Sequence, residues 1–486
     1  MIKAKYLVLL VLLVSCADQQ HEKYEDEILA HKYCGNCHVF PEPKFLNKEA
    51  WRLDVLPAMA KKLGIDYIYE TQLDEKNVIL NLEEWKKVAA YYIHESPDSL
   101  PGQNRPPVSQ FTSLFKVRRL SNSNGVRPSV SYVGIDDDNR WIFAADALDS
   151  TLTIYNSSLI KISSRRVNGV LVDLSFNNQS RSGIFTLIGI MPPNDFSTGS
   201  VDSFYINERG EIEKIREIIT GLPRPVATIP FRYTPGGEPY YVVSGFGNNN
   251  GGLYLVTPAD SANAQVLNPS AGAIRAHTGD FNRDGIGDII ALTAQSRESI
   301  DIYYGRTGEG FDSANVLRFP PIYGSTYFEL ADFNSDGYTD ILYTCGDNAD
   351  YTGKTLKYYH GIYIFLNDGH NQFRERYFFP QHGAIKAIAR DFDGDGDLDI
   401  ASISFFPDLD KQPGESFVYL ENKGNFSFTP YTVDAYSEGR WMTIDAGDID
   451  GDGDDDIILG SMILPSSTAA NAQTTSLLLL ENNIIL

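Results

Sequence analysis

Asp391-Phe392-Asp393-Gly394-Asp395-Gly396-Asp397-Leu398-Asp399 is the stretch whose reading decides the fold. It places carboxylates at its first, third, fifth and ninth positions, with a glycine at the sixth, where the backbone must turn sharply. The pattern recurs at Asp280, Asn282, Asp284 and Asp288, at Asp332, Asn334, Asp336 and Asp340, and at Asp448, Asp450, Asp452 and Asp456. Hard oxygen donors at this density suit calcium, with up to four ions in all. An EF-hand would need a bidentate Glu at position 12 and a helix on each side. Position 12 here is Ala291, Tyr343, Ser402 or Leu459, and each loop runs into a short apolar, β-rich segment. The loops are therefore hairpins suited to carry a metal.

The first ligand positions of the four copies lie 52, 59 and 57 residues apart. Units of roughly 40 to 50 residues made only of short strands mark the blades of a β-propeller. The loops resemble the FG-GAP or VCBS-type repeats of integrin-like propellers, strongly from residue 272 onward and weakly from about 110. That resemblance implies a calcium ion in the hairpin between the first two strands of each such blade. Stepping back from Asp280 by about 50 residues per repeat places degenerate equivalents near 229, 177 and 130, so four metal-bearing blades and three plain ones make seven. Asp136-Asp137-Asp138 is a weak echo without the full ligand set. The last repeat ends one strand short, and residues 111–120 are expected to supply it, latching the ring and removing exposed sheet edges.

A chain of 486 residues at 42% hydrophobic content favours at least two domains. A formal charge of −23 argues against nucleic acid as a partner, because phosphate binding needs clustered Lys and Arg. Seventeen of the acidic residues are aspartates of the four loops, and four divalent ions would bring −23 to −15. Cys345, alone on an apolar strand, is expected to be a buried thiol, and no disulfide is expected.

Lys3 and Lys5 precede an apolar run from Tyr6 to Val14 that is too short to span a bilayer, as in a signal peptide over 1–15. Leu13-Val14-Ser15-Cys16 resembles a bacterial lipobox. It implies cleavage before a diacylated Cys16, a tether over 16–24, and an extracytoplasmic protein anchored by lipid to a bacterial membrane, periplasmic or at the cell surface. Cys34-Gly35-Asn36-Cys37-His38 is the c-type haem attachment motif: two thiols at i and i+3 meet the two vinyl groups of one porphyrin edge, and the adjacent His reaches the iron. Zinc would need two further ligands of similar spacing, and a redox dithiol leaves His38 unexplained. Glu25 to Tyr33 reads as a helix, Asn47 as the N-cap of a helix carrying Trp51, and Asn81 with Glu84 as a capping box before Trp85, Val88, Ala89 and Ile93. The order of these features is similar to that of small single-haem cytochrome domains, which implies an all-α cytochrome c-like domain over 25–97 with one covalent haem c. Met59, just beyond a Pro57 expected to break or kink its helix, is the candidate sixth ligand, with His94 and then His31 as alternatives. Residues 98–110 read as a Pro-rich linker, and 111–486 as the propeller.

The expected architecture is thus mainly β, a seven-bladed calcium-binding β-propeller preceded by a small helical haem domain. Opposite the aspartate hairpins, loops carrying Glu298, Asp347, His360, Phe405, Phe406, Arg440 and Trp441 form a candidate ligand face. The expected function is that of a membrane-anchored c-type cytochrome that transfers electrons, whose calcium-stabilised propeller docks a redox partner protein or an extracellular polymer. The alternative is a surface adhesin or carbohydrate-binding receptor with haem as accessory or sensor. A dehydrogenase passing electrons to its own haem is a third reading, but no nucleophile and base pair, phosphate-cradling loop or second cofactor site is readable.

Overall fold

The computed structural model describes residues 25–66, 71–72, 79–105, 107–122, 126–258, 260–352, 355–463 and 475–484. The expected signal peptide over 1–15, Cys16 and the expected tether over 16–24 lie outside them. The chain forms two compact units, one of Met1–Gln103 with Pro320–Ile322 and Asn348–Tyr358, the other of Asn104–Phe319 with Tyr323–Asp347 and Tyr359–Leu486.

The larger unit consists of seven four-stranded antiparallel sheets. Their first strands are Val130–Asp136, Leu171–Asn177, Pro225–Phe231, Ala273–Gly279, Ser325–Ala331, Ala384–Arg390 and Trp441–Gly447. These strands contact one another from blade to blade and so lie nearest the axis. Each shifts its pairing register with the second strand after its first residue, a bulge repeated in all seven blades. A bulge raises the local twist, which is what an innermost strand of a radial array requires. The second strands Asp288–Thr293, Asp340–Cys345, Asp399–Ser404 and Asp456–Ser461 are buried along their whole length, sandwiched between neighbouring blades. Their unbroken Ile, Leu and Ala runs follow from burial on both faces. Cys345 is fully buried there, and its thiol donates to the Tyr359 carbonyl at 3.4 Å.

Closure follows the expected route with a shifted boundary. The fourth strand of the last blade is Phe115–Ser121, which pairs with Thr475–Asn482 from Phe115 opposite Asn482 to Ser121 opposite Thr475. Phe111 instead makes a parallel bridge to Thr432 of the sixth blade.

The expected linker is also corrected. Compact structure of the propeller begins at Asn104, within residues 98–110. Val108 is buried with Phe333, Leu342 and Ile362, and the Gln110 carbonyl accepts Thr432 N at 2.8 Å. The Arg105 guanidinium reaches the fully buried Glu415 carboxylate, which also accepts His382 Nδ1 at 3.1 Å. Proline and small polar residues signalled a linker, but a single Arg with a buried counter-charge and one Val on the core hold the segment down.

In the smaller unit, residues 25–34 are helical. Asn47 caps the next helix through Ala50 N at 2.9 Å, and Asn81 and Glu84 form the expected capping box on Leu82–Glu95. Trp85, Val88, Tyr91 and Tyr92 are its buried stripe. Of the expected break or kink at Pro57, the helix shows no break but an irregular turn. Trp51–Val55 widens into a π-turn, with Leu56 N bonded to Trp51 O, and runs directly into Leu56–Lys62. The wider turn relieves the clash between a proline ring and the carbonyl four residues back. The unit is not purely helical, because Ile65–Asp66 pairs with Thr71–Gln72. Segment 348–358 belongs to it, with the Thr352 hydroxyl donating to Asp54 at 2.8 Å.

Phe115 packs edge-on against Phe392 and Tyr419 at 5.9 and 5.5 Å. Phe115→Ala is expected to destabilise the propeller by about 3 to 5 kcal/mol, the cost of an emptied aromatic site. Lys116→Ala, exposed on the same strand, should shift the urea midpoint little. Equal midpoints for the two variants would refute the closing role of this strand.

Candidate functional site

The four aspartate hairpins join the first and second strands of blades four to seven. In three of them the first aspartate accepts the N–H groups of positions 5 and 6: Asp280 from Asp284 and Gly285 at 3.0 and 2.8 Å, Asp332 from Asp336 and Gly337 at 3.1 and 2.8 Å, and Asp391 from Asp395 and Gly396 at 3.1 and 3.0 Å. Asp448 accepts Gly451 and Gly453 instead, at 2.6 and 3.1 Å. The position 6 glycines are left-handed, with φ of 83°, 82°, 94° and 100° for Gly285, Gly337, Gly396 and Gly453. Nothing lies within 4 Å of where their Cβ atoms would stand, so dihedral angle and not crowding selects glycine there.

Two features escaped the sequence reading. Position 4 is also left-handed in every loop, at Arg283, Ser335, Gly394 and Gly451. Glycine at two of these four was the available signal. Position 2 is an anchor: Phe333, Phe392 and Ile449 are buried, tying their loops to the core.

The ninth aspartates, Asp288, Asp340, Asp399 and Asp456, are fully buried. Three of them take position 2 N–H on one oxygen and an N–H of the third strand on the other. Asp288 takes Phe281 and Gly305, both at 2.8 Å, Asp340 takes Phe333 and Asn367 at 3.0 and 2.8 Å, and Asp456 takes Ile449 and Asn482 at 3.0 and 2.7 Å. Asp399 takes Asn422 N and the Tyr419 hydroxyl, both at 2.7 Å. One residue thereby joins the hairpin to the middle of its blade.

The loops differ in charge. At position 3, Asn282 and Asn334 donate to Asp284 and Asp336 at 3.0 and 2.9 Å, which softens the first two loops. The third brings carboxylate oxygens of Asp391, Asp393 and Asp395 together within 4.8 Å, and the fourth those of Asp448, Asp450 and Asp456. Burial, reinforced by neighbouring aspartates, pushes Asp393 and Asp454 up to about 6, and Asp399 and Asp456 up to about 7. The weak echo in blade one has a different solution. The Asn178 amide donates to Asp136 and Asp138 at 2.7 and 2.8 Å beside a cavity of about 290 Å³.

Most of the opposite face proves structural. Glu298 is buried and accepts Gly324 N and Ser325 N, each at 3.0 Å. His360 is fully buried, and so is Trp441, whose Nε1 donates to Tyr436 O at 2.9 Å; neither Trp441 nor His360 belongs to a ligand surface. Asp347 is half-buried, its N–H bonded to Gly324 O at 3.1 Å. Arg440 is half-buried, its Nε donating to Phe405 O at 3.0 Å and its guanidinium 3.9 Å from the Phe405 ring centre.

In the helical unit Cys34 ends the first helix, half-buried, and Cys37 is exposed in the turn that follows. His38 Nδ1 lies 3.0 Å from Val39 O. A carbonyl only accepts, so Nδ1 carries the proton and Nε2 keeps its lone pair. Burial lowers the His38 pKa and raises that of the Cys34 thiol. Met59 is half-buried on Leu56–Lys62. His94 is exposed and pairs with Glu95 at 2.6 Å, and His31 stacks on Phe40 at 3.7 Å.

A family model for the FG-GAP-like repeat matches residues 280–343 and 391–459. The larger unit is a seven-bladed β-propeller carrying FG-GAP-like repeats. Among curated proteins, none matches the chain. Among solved structures it is similar to virginiamycin B lyase from Staphylococcus aureus at 12% identity and a TM-score of 0.46, covering 76% of this chain and 100% of that one. It is also similar to the periplasmic gluconolactonase of Pseudomonas aeruginosa at 11% identity and a TM-score of 0.44, covering 66% and 97%. Likeness at this level says nothing of activity.

An aspartate whose folded-state pKa stands above its unfolded value of about 3.9 favours the folded state most below that value and loses the advantage as pH rises through the folded one. Asp399 and Asp456 stand at about 7, so with a chelator present thermal stability should fall as pH rises from about 5 to about 8. Asp195, held down at about 2 by the Asn249 and Asn250 amides, is ionised throughout and does not vary over that window. A midpoint that rises over the same range would contradict this electrostatic picture.

Proposed function

We propose that the protein is a membrane-anchored extracytoplasmic c-type cytochrome whose propeller, stabilised by calcium, docks a redox partner or an extracellular polymer. The observation that carries the haem assignment is the state of His38 within Cys34-Gly35-Asn36-Cys37-His38: its Nδ1 is committed to Val39 O, which leaves Nε2 as a neutral ligand oriented by an outer hydrogen bond. Cys34 and Cys37 would hold an iron porphyrin through thioether bonds, and His38 and Met59 would be the side chains that ligate its iron. The Tyr92 hydroxyl is buried beside the Cys34 thiol, and burial with that thiol raises its pKa. The bound group would supply one-electron exchange. The chain's own part would be to hold it covalently and keep His38 in one tautomer. Cys16 would provide the lipid tether. The mature protein should gain the mass of one haem that survives denaturation, and Cys34→Ser with Cys37→Ser should abolish the gain. Mature wild-type protein of unmodified mass would remove the redox assignment.

The propeller is a rigid scaffold compatible with docking of a ligand or partner. Calcium in the four hairpins is supported by the gathered carboxylates of the third and fourth loops. Protein oxygens would surround each ion, so its role would be to cancel repulsion and not to catalyse. At a free concentration of about 100 times Kd, each site adds roughly 2.7 kcal/mol to the folded state. Calcium should therefore raise the melting temperature. Asp391→Asn with Asp393→Asn should lower the bound stoichiometry by one ion and remove part of that rise. A chelator that leaves the wild-type midpoint unmoved would eliminate the calcium reading.

A further inference from the structure

The last blade differs from its neighbours in how its fourth strand is attached. In blades four and five the fourth strands Phe311–Arg318 and Phe373–Pro380 follow their third strands, Ser299–Gly305 and Gly361–Asn367, through short hairpins. In the last blade the third strand is Thr475–Asn482 and the fourth is Phe115–Ser121, brought from the other side of the sequence. The Ser476 hydroxyl donates to Leu120 O at 2.8 Å across a separation of 356 positions. No covalent hairpin returns this strand to its partner when the pairing opens, so re-forming it carries the entropy of a very long loop.

The fourth aspartate hairpin stands against this junction. Asp456 Oδ1 accepts Asn482 N at 2.7 Å, Asp454 Oδ2 accepts Ile484 N at 3.3 Å, and Asn482 Nδ2 donates to Asp455 O at 3.2 Å. Three successive residues of the hairpin thus hold residues 482–484. From the other side the closing strand holds the same stretch. Glu481 pairs with Lys116 at 3.2 Å and with Arg118, and Asn483 N donates to Leu114 O at 3.0 Å.

Asp454 occupies position 7 of its hairpin, where the third hairpin has Asp397 and the first two have Ile286 and Tyr338. Asp397 is exposed, whereas Asp454 is only 7% exposed, and among the described residues no donor reaches its Oδ1. Asp450 Oδ1 also lacks a donor, and carboxylate oxygens of Asp448, Asp450 and Asp456 gather within 4.8 Å of one another. The charges that act on Asp454 are those of Asp452 and Asp450, which places its carboxylate toward that gathering. A buried carboxylate oxygen without a donor is costly unless a cation takes it.

We propose that the fourth hairpin is a calcium-dependent clasp for the ring, in which Asp454 adds Oδ1 to the ligand set while its Oδ2 holds Ile484. The idea rests on the calcium reading of the hairpins and gives one of the four sites a task of its own. A divalent ion cancels the repulsion among Asp448, Asp450, Asp452, Asp454 and Asp456, so the bonds from Asp454 and Asp456 keep residues 482–484 where the closing strand can pair. Without the ion those carboxylates push apart, and the strand that no hairpin tethers is the one released.

The test is hydrogen exchange of the full chain in calcium chloride and in chelator, read on peptides covering 115–121, 311–318 and 373–380, with calcium binding followed by titration calorimetry. Calcium should slow exchange in 115–121 about tenfold more than in either hairpin-tethered strand. Asp454→Asn, which keeps the side chain's shape and an acceptor for Ile484 N, should lose that excess. Asp397→Asn, the same change at the same position of the third hairpin, should retain it. Calcium that binds but slows all three strands alike would overturn the clasp and leave the calcium reading intact, whereas absence of binding would overturn both. An undiminished excess in Asp454→Asn would also overturn the proposal. Should that variant not fold, the wild-type comparison with and without calcium decides alone.

Discussion

The pairing of Phe115–Ser121 with Thr475–Asn482 is the constraint on which the propeller depends. Seven sheets around an axis bury their faces only against neighbours, so an open array would expose a face at each end and leave a strand edge unpaired. Joining residues more than 350 positions apart removes those losses and makes both ends of the larger unit part of one blade. Arg105 with Glu415, and Val108 in the core, extend this attachment toward the start of the unit.

Within blades four to seven the buried ninth aspartate does the comparable work on a smaller scale. Its oxygens hold the hairpin to the third strand through backbone hydrogen bonds, which fix a loop rich in mutually repelling carboxylates. Calcium would then bind to a shape already set by backbone hydrogen bonds. The same economy appears in blade one, where Asn178 supplies amide hydrogens to Asp136 and Asp138.

Seventeen aspartates lie in the loops at one end of the axis, while the other end carries both signs, with Glu298 and Asp347 as well as Arg440.

Local chemistry made much of this legible in the sequence. The glycine at position 6, the repeat spacing, the missing last strand and the Asn47 and Asn81 caps are all patterns of neighbouring residues whose physical cause is local: a dihedral angle, a helix end or a strand count. What tertiary structure alone decided depends on residues distant in sequence. Trp441 and Arg440 are adjacent in the chain, yet one is sealed in the last blade's core and the other half-exposed against Phe405. His360 and Glu298 look like loop residues but are buried, and the proline-rich stretch before 111 is held by an acid at position 415. Which side of a strand end faces solvent is fixed by the neighbouring blade, and composition carries no record of that neighbour.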